Sequence, residues 1–167
     1  MSISTLHFFK YQGTGNDFVL FGPEHDPDAF SPEAIRALCD RHFGVGADGV
    51  LFASASAPNR GRMRMFNPDG TEAEMCGNGI RCVAKHLADE GLCFGPEFTI
   101  DTLAGPRLCR VFCDALEFVN EVEVSMGAPA YERSAFGMSG EGPFVKESVE
   151  NGQGRFTGTA VSMGNPH

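Results

Sequence analysis

The sequence predicts an α+β fold in which β-strands predominate and two helices lie between them. Two segments carry apolar residues at helical spacing, and short runs rich in branched and aromatic residues surround them. Helices and strands do not alternate regularly, so a parallel βαβ fold is not expected. The chain has 167 residues, which is enough for one hydrophobic core and part of a second.

The first predicted elements are two strands joined by a glycine-rich loop. Residues 6–11 (LHFFKY) and 17–22 (DFVLFG) are the strands, and GTGN at 13–16 connects them. A helix of about three turns follows, because Ser31 and Pro32 are typical first residues of a helix and Gly44 ends the apolar pattern. Residues 48–53 and 62–66 are predicted as the next strands.

A long polar loop at 67–79 precedes the second predicted helix. The apolar residues of this helix form a wide stripe, which predicts that it is largely buried, and Gly91 is placed to end it. The stripe consists of Ile80, Val83, Ala84, Leu87 and Ala88. Three predicted strands follow, at 98–102, 107–113 and 118–126, and their pattern resembles that of an antiparallel sheet with one solvent-exposed face.

The composition changes near residue 127, where a polar, glycine-rich stretch begins before a last strand-like segment at 155–163. We therefore expect residues 1–127 to form an N-terminal domain. Residues 128–167 are expected to be the start of a second domain, since they are too few to close a core of their own. The chain is interpreted as the first part of a longer protein.

Charge and composition exclude several classes of protein. The net charge is −9 and no run of Lys or Arg is present, which argues against binding to nucleic acid or to an anionic membrane. No apolar stretch approaches the roughly 20 residues of a membrane span, and the first residues lack the pattern of a secretory signal. We expect a cytoplasmic protein whose six cysteines are thiols.

The strongest chemical signal is MCGNGIR at 75–81, which places Cys76 at the start of the second helix. The positive end of a helix and its unpaired N–H groups favour a thiolate. Gly77 and Gly79 leave the backbone bare, so that a carboxylate can approach these N–H groups. Cys76 would then be a base beside the α-carbon of an amino acid. The alternative is that Cys76 is only a small residue at a helix terminus.

The other candidate residues carry weaker signals. Cys82 lies six residues further along the same helix, about 9 Å away and rotated by roughly 240°, so it is expected to pack rather than to face the same substrate. Three further cysteines are also expected to pack, namely Cys39, Cys109 and Cys113. His86 shows no pattern of partners and is expected to lie at the surface or half-buried. The GxGxxG pattern at 44–49 follows a helix and enters a strand, which is the wrong context for a dinucleotide site.

Residues 67–81 (NPDGTEAEMCGNGIR) closely resemble the signature of the diaminopimelate epimerases. Members of this family interconvert LL- and meso-diaminopimelate without pyridoxal phosphate or a metal. FFKYQGTGNDFVL at 8–20 and SMGNPH at 162–167 resemble two further blocks of the family. The resemblance implies two similar domains, each an antiparallel sheet curled round a central helix, with the active site in the cleft between them.

The resemblance also implies the roles of individual residues. Cys76 would be one of two catalytic cysteines, and His167 would lie near the thiols and tune their ionisation. Substrate contacts are implied for Asn16, Asn67, Gly77, Asn78 and Asn165. Many members have a glutamine at the position of Gly49, so that contact is not carried over. The second cysteine belongs to a segment of the family that these 167 residues do not contain.

The resemblance thus implies a diaminopimelate epimerase acting in lysine and peptidoglycan precursor biosynthesis, expected here as an inactive N-terminal part. The family implies a small-molecule amino-acid substrate, no cofactor, no metal and a homodimer for the full-length protein. Three alternatives stay open: a related cofactor-independent racemase, a hydrolase or transferase with a cysteine nucleophile, and a non-catalytic domain that binds an amino acid. Proline racemases usually carry His where this chain has Asn78, and phenazine-biosynthesis relatives lack the cysteine.

Overall fold

The computed structural model describes residues 5–163 and 167 and divides into two compact units, Met1–Ser125 and Met126–His167. The predicted boundary, after residue 127, lies two residues further along the chain. That the second unit begins a second, similar domain stays a prediction. No helix in the described part of the chain is long and apolar enough to cross a membrane.

The first unit holds strands and helices at most of the positions that the sequence predicts. In chain order its elements are β1 (Phe9–Gly13), β2 (Asn16–Phe21), α1 (Pro32–Cys39), β3 (Val50–Ala57), β4 (Arg60–Phe66), β5 (Glu72–Ala73), α2 (Gly77–Asp89), β6 (Glu97–Thr102), β7 (Gly105–Cys113) and β8 (Val119–Val124). A short 3-10 helix, Pro27–Ala29, precedes α1.

One sheet contains all these strands in the order β1-β2-β3-β4-β6-β7-β8, with β5 paired to β4. The pairs β2–β3 and β4–β6 are parallel and the others antiparallel. Parallel neighbours need a crossover connection, and α1 and α2 lie within the two crossovers. The α+β class is confirmed, but the sheet is mixed rather than wholly antiparallel, because the sequence pattern does not show which strands become neighbours.

The sheet curls around α2, since this helix contacts β1 at one edge and β8 at the other. The side chains of β2 alternate between the two faces of the sheet. Phe18 and Leu20 pack with α2, whereas Val19 and Phe21 pack with the residues of α1. All four are fully buried, so α1 covers the outer face at this point and α2 fills the inside of the curl.

The two helices begin as the sequence predicts, but α1 ends early. The Ser31 hydroxyl accepts a hydrogen bond from the Ala34 N–H at 3.3 Å and caps α1. The expected three turns are too many, because the Asp40 carboxylate accepts the N–H groups of His42 and Phe43 and turns the chain out of the helix. Gly91 has φ 65° and ends α2 as predicted.

The second unit contains a hairpin of β9 (Glu147–Asn151) and β10 (Gly154–Gly158). The sequence analysis does not predict β9, whose strand pattern is largely polar, and β10 covers only the first part of the predicted strand at 155–163. A 3-10 helix, Arg133–Phe136, precedes this hairpin. The Arg133 guanidinium lies 4.9 Å from the ring centre of the buried Phe144.

Candidate active site

Cys76 is the N-cap residue of α2, with extended backbone angles and a half-buried side chain. Its sulfur accepts a hydrogen bond from the Gly79 N–H at 3.4 Å. The Cys76 carbonyl accepts the first helical hydrogen bond, from the Ile80 N–H at 2.9 Å. The thiol therefore takes the place that a Ser or Asp side chain usually has at the start of a helix.

The chain on either side of Cys76 fixes the thiol at the inner face of the sheet. Before it, the Glu74 carbonyl accepts a hydrogen bond from the Ala104 N–H at 3.2 Å, in the turn between β6 and β7. After it, Gly79 lies against β3, where an added Cβ would stand 3.1 Å from Leu51 Cδ2 and 3.7 Å from the Cys76 sulfur. A side chain at 79 would press on Leu51 of the sheet and come into contact with the thiol.

The β1–β2 hairpin brings Asn16 to the thiol, with Cys76 Sγ 3.9 Å from Asn16 Oδ1. The turn uses Thr14 and Gly15, both with positive φ, at 57° and 84°. Gly13 allows the hairpin to approach α2 closely, since an added Cβ would lie 3.0 Å from the Asn78 carbonyl oxygen. The glycine-rich loop at 13–16 thus serves to seat the hairpin on the first turn of the helix.

A network of charges lies behind Asn16. The Asn16 amide nitrogen donates to Asp48 Oδ2 at 2.8 Å, and Arg41 donates at 2.7 Å both to Asp48 and to Asp17. The hydrogen bond from Asn16 lowers the pKa of Asp48 below its ordinary value. The hydrogen bond from Arg41 is the main reason why the pKa of Asp17 is also lowered. Both carboxylates are therefore ionised and act only as acceptors.

Asn78, in the first turn of α2, is held by Arg81. The guanidinium donates to Asn78 Oδ1 at 2.6 Å and to Thr14 Oγ1 at 2.8 Å, so it also ties the hairpin to the helix. Because the amide oxygen is already bonded, the amide offers a ligand its NH₂ donors. The N–H groups of Gly77 and Asn78 have no acceptor within the helix. This end of α2 is therefore rich in donors and suits a carboxylate.

Asn67 lies directly after β4, in a tight turn. Its amide nitrogen donates to Thr71 Oγ1 at 3.1 Å, and its N–H donates to the Thr71 carbonyl at 2.8 Å. At Gly49 an added Cβ would stand 2.8 Å from the Phe66 carbonyl oxygen, so the structure has no room for a side chain at this position.

The structure brings four of the predicted site residues together: Asn16, Cys76, Gly77 and Asn78. Asn165 lies outside the described residues. His167 belongs to the second unit, where its backbone exchanges hydrogen bonds with Val161 at 2.8 and 3.1 Å. The role predicted for His167 beside the thiol stays a prediction.

Two expectations about side chains outside the site are wrong. His86 is 1% exposed rather than at the surface or half-buried, because it packs against Phe9 and Tyr11. Cys113 is exposed rather than packed, because the pairing of β7 with β8 is irregular between Phe112 and Cys113. Cys39, Cys82 and Cys109 are buried as expected.

The site is also supported by three residues that are not predicted from the sequence: Arg41, Asp48 and Arg81. Asp48 meets Asn16 across 32 positions of the chain, so no local pattern joins them. Arg81 stands within the resemblance at 67–81, and its spacing of three from Asn78 is the helical signal that could have found it. Among residues 5–163 and 167, no group of three or more His, Cys, Asp or Glu side chains could hold a metal ion.

The fold resembles that of known epimerases and racemases. A hydroxyproline epimerase from Agrobacterium vitis aligns with 92% of this chain and 48% of its own, with a TM-score of 0.62 and 13% identity. A probable proline racemase from Agrobacterium radiobacter K84 aligns with 94% of this chain and 49% of its own, with a TM-score of 0.63 and 17% identity. At such identities the likeness shows the fold alone.

Sequence comparison identifies the family. Residues 8–132 match the family model "Diaminopimelate epimerase". The diaminopimelate epimerase of Moorella thermoacetica is 46% identical over 97% of this chain, and that of Pelotomaculum thermopropionicum is 45% identical over 97%. The chain belongs to the diaminopimelate epimerase family. It spans 58% of the length of the first relative and 59% of the second.

Proposed function

We propose that this chain carries one half of the active site of a diaminopimelate epimerase, with Cys76 as one of two acid–base thiols. In one direction the Cys76 thiolate removes the α-proton of LL-diaminopimelate: the C–H bond breaks, an S–H bond forms, and the electron pair moves toward the carboxylate. A second thiol on the opposite face then delivers its proton to the α-carbon, which gives the meso isomer. The reverse reaction exchanges the roles of the two thiols.

The observation that carries the proposal is the half-buried Cys76 sulfur at the mouth of a helix whose first residues are Gly77 and Asn78. An α-proton is a very weak acid, so a reaction without an electron sink needs fixed donors at the carboxylate where charge develops. The N–H groups at the start of α2 and the Asn78 amide are such donors. They stand next to the thiol that would take the proton.

The remaining roles are proposed from the family. Asn16, Asn67, Gly77, Asn78 and Asn165 would contact the substrate, and His167 would tune the ionisation of the thiols. No cofactor would take part, because the donors at the carboxylate and the exclusion of water stabilise the carbanion. The full-length protein would be a cytoplasmic homodimer.

We further propose that these 167 residues alone do not epimerise diaminopimelate. Cys39, Cys82, Cys93 and Cys109 are buried, and Cys113 lies at the end of β7. Inversion needs a proton donor on the face opposite Cys76, and relatives are longer than this chain. Proton removal and return on the Cys76 side would still be feasible, at a slow rate.

The test is to incubate the chain with LL-diaminopimelate in D₂O and to follow both α-deuterium and chirality. We expect slow deuterium incorporation with retention of configuration, which a Cys76→Ala variant loses. Formation of the meso isomer at a rate near that of a full-length relative would contradict the two-thiol proposal.

A second experiment separates the proposal from the alternatives. An aziridine analogue of diaminopimelate should alkylate Cys76, and excess substrate should protect it. A non-catalytic domain would bind the analogue without alkylation. A cysteine hydrolase would instead release product from an activated ester of the substrate.

A further inference from the structure

Asp48 holds the Asn16 carboxamide in one orientation. A carboxamide can turn by about 180° with little change of shape, so its hydrogen-bond partners decide which end faces the thiol. Asn16 Nδ2 donates to the Asp48 carboxylate at 2.8 Å, which leaves Oδ1 on the side of Cys76 Sγ, 3.9 Å away. The turned amide would place its oxygen against the carboxylate, where two acceptors repel each other.

Asp48 is itself fixed in place. Its Oδ2 also accepts the Asp17 N–H at 3.1 Å, and its Oδ1 accepts from Arg41 at 2.7 Å. The same Arg41 binds Asp17, so the carboxylate is anchored on both oxygens by groups outside the site. This anchoring keeps the Asp48 carboxylate where its Oδ2 accepts from the Asn16 amide.

The Cys76 sulfur thus has one donor and one acceptor beside it. The Gly79 N–H, at 3.4 Å, favours the thiolate, whereas Asn16 Oδ1, at 3.9 Å, accepts from the S–H group and favours the thiol. We infer that Asp48 is a positioning residue, which keeps the oxygen of Asn16 toward Cys76 and so stabilises the thiol form against the thiolate form. The inference rests on the proposed function, in which this sulfur must both take and return a proton.

A change of charge alone would also alter the ionisation of Cys76, so the test needs a matched control. The charged side chains on β1, β2, β3, β5 and α2 are Lys10, Asp17, Glu72, Arg81, Lys85 and Asp89, and the loops beside the thiol add Arg41, Asp48 and Glu74. Asp17 is the best control among them, because it is bound to Arg41 as Asp48 is. Its side chain does not bind the Asn16 amide, whose nitrogen donates to Asp48.

The experiment measures alkylation of Cys76 by iodoacetamide from about pH 6 to about pH 9, quantified by mass spectrometry on the peptide that contains Cys76. In Asp48→Asn the single remaining oxygen is expected to stay with the charged Arg41 guanidinium, so the new NH₂ takes the place of Oδ2 at the expense of the Asp17 N–H bond. The Asn16 amide then turns to present its oxygen to this NH₂, and its own NH₂ faces the sulfur. We expect the rate at neutral pH to rise about two- to tenfold, the worth of a typical hydrogen bond, and the pH profile to move to lower pH. Asp17→Asn should give less than half of that change.

Asn16→Ala removes the acceptor without any change of charge, and it should shift the profile in the same direction by a smaller amount. In the Asn16→Ala background, the further shift of the alkylation profile caused by Asp48→Asn should be no larger than the shift caused by Asp17→Asn. The buried Cys82 and Cys109 report on folding in the same digests, since they are labelled only when the core opens. If Asp48→Asn unfolds the protein, the Asn16→Ala result decides.

An unchanged profile in Asn16→Ala would overturn the inference, as would equal shifts in Asp48→Asn and Asp17→Asn with the core cysteines still protected. The labelling uses no substrate. If the chain did not incorporate deuterium, the proposed function would be refuted, but the shifts of the alkylation profile could still be measured. If the profiles were unchanged, only the role of Asp48 would be refuted.

Discussion

The first turn and the middle of α2 differ in what they contribute: the first turn presents polar groups beside a half-buried thiol, whereas the middle of the helix packs in the core. At its start, Cys76 is half-buried, its sulfur accepts one hydrogen bond, and the first helical residues are Gly77 and Asn78. About two to three turns further on, Cys82 carries the same thiol group and His86 carries a titratable ring, but both are almost fully buried. The side chain's surroundings, more than its residue type, decide what it can do.

The difference is visible in the ionisation of the buried thiols. Burial raises the pKa of Cys82 to about 11 and that of Cys109 to about 12. At neutral pH both are therefore thiols that pack as small apolar side chains. Cys76 instead is half-buried at the start of α2, where the Gly79 N–H and the Asn16 amide lie beside its sulfur.

The largest expected effect comes from exchanging sulfur for oxygen at the two positions of α2. In a fusion of this chain to the part of the Moorella thermoacetica relative that it does not match, Cys76→Ser should lower the rate of epimerisation by about 10³-fold or more, because a hydroxyl is a far weaker acid than a thiol. Cys82→Ser should leave the rate within about threefold and lower the free energy of unfolding by about 1–3 kcal/mol, the cost of a buried polar group. If Cys76→Ser and Cys82→Ser lost the same amount of activity, the two cysteines would not differ in their importance for the reaction.

The sequence predicted the start of α2 better than the topology around it. Its apolar stripe, its cysteine and its terminal glycine follow local rules of helix formation, and each is found where expected. The parallel pairs β2–β3 and β4–β6 could not be predicted, because they depend on where the two crossovers place the returning strands.

The long-range contacts around the site could not be predicted from the sequence either. The contact of Asn16 with Asp48 joins a hairpin to a loop 32 residues away, and only the folded sheet brings them together. The burial of His86 was also missed, since the ring is covered by Phe9 and Tyr11 from β1, a strand far away in the chain. Local patterns predict elements and caps, whereas these contacts arise from packing between elements.

The next largest effect concerns the buried side of α2. Leu87 is fully buried, and its Cδ1 would lie only 2.4 Å from a Cβ added at Gly61, which shows how closely the helix packs on β4. Leu87→Ala should lower the free energy of unfolding in urea by about 2–5 kcal/mol through loss of apolar contacts and a residual cavity. The labelling rate of Cys76 in the folded variant should stay within about twofold of that of the unaltered chain.

Leu103 provides the control for this substitution, because its side chain is 60% exposed. Leu103→Ala should change the free energy of unfolding by less than about 0.5 kcal/mol. If both substitutions cost the same, the stability of this unit does not depend on the packing inside the curl.

The smallest effect is a pH dependence that arises from His86. Its ring is 4.6 Å from that of Phe9, and its Nδ1 is 3.5 Å from the Tyr11 hydroxyl. Burial lowers the pKa of His86 below its ordinary value of 6.5, against smaller opposing effects of Glu90, Glu24 and Asp89. The unfolded chain therefore binds a proton near pH 6.5 that the folded chain resists. Stability should be highest above that pH and fall as the pH drops below it.

The measurement is the free energy of unfolding in urea at about pH 7.5 and about pH 5.5, for the unaltered chain and for His86→Gln. One histidine contributes at most about 1.4 kcal/mol per pH unit, so the unaltered chain should lose about 1 kcal/mol more than the variant between these values. The lowered pKa values of Asp17 and Asp48 do not interfere, because the stability from those carboxylates is lost only as the pH falls below their ordinary value of 3.8. An exposed ring gives the control, since His42→Gln should keep the full pH difference. If His86→Gln also keeps it, burial of this histidine does not set the response to acid, and the contrast between the two parts of α2 is confined to their cysteines.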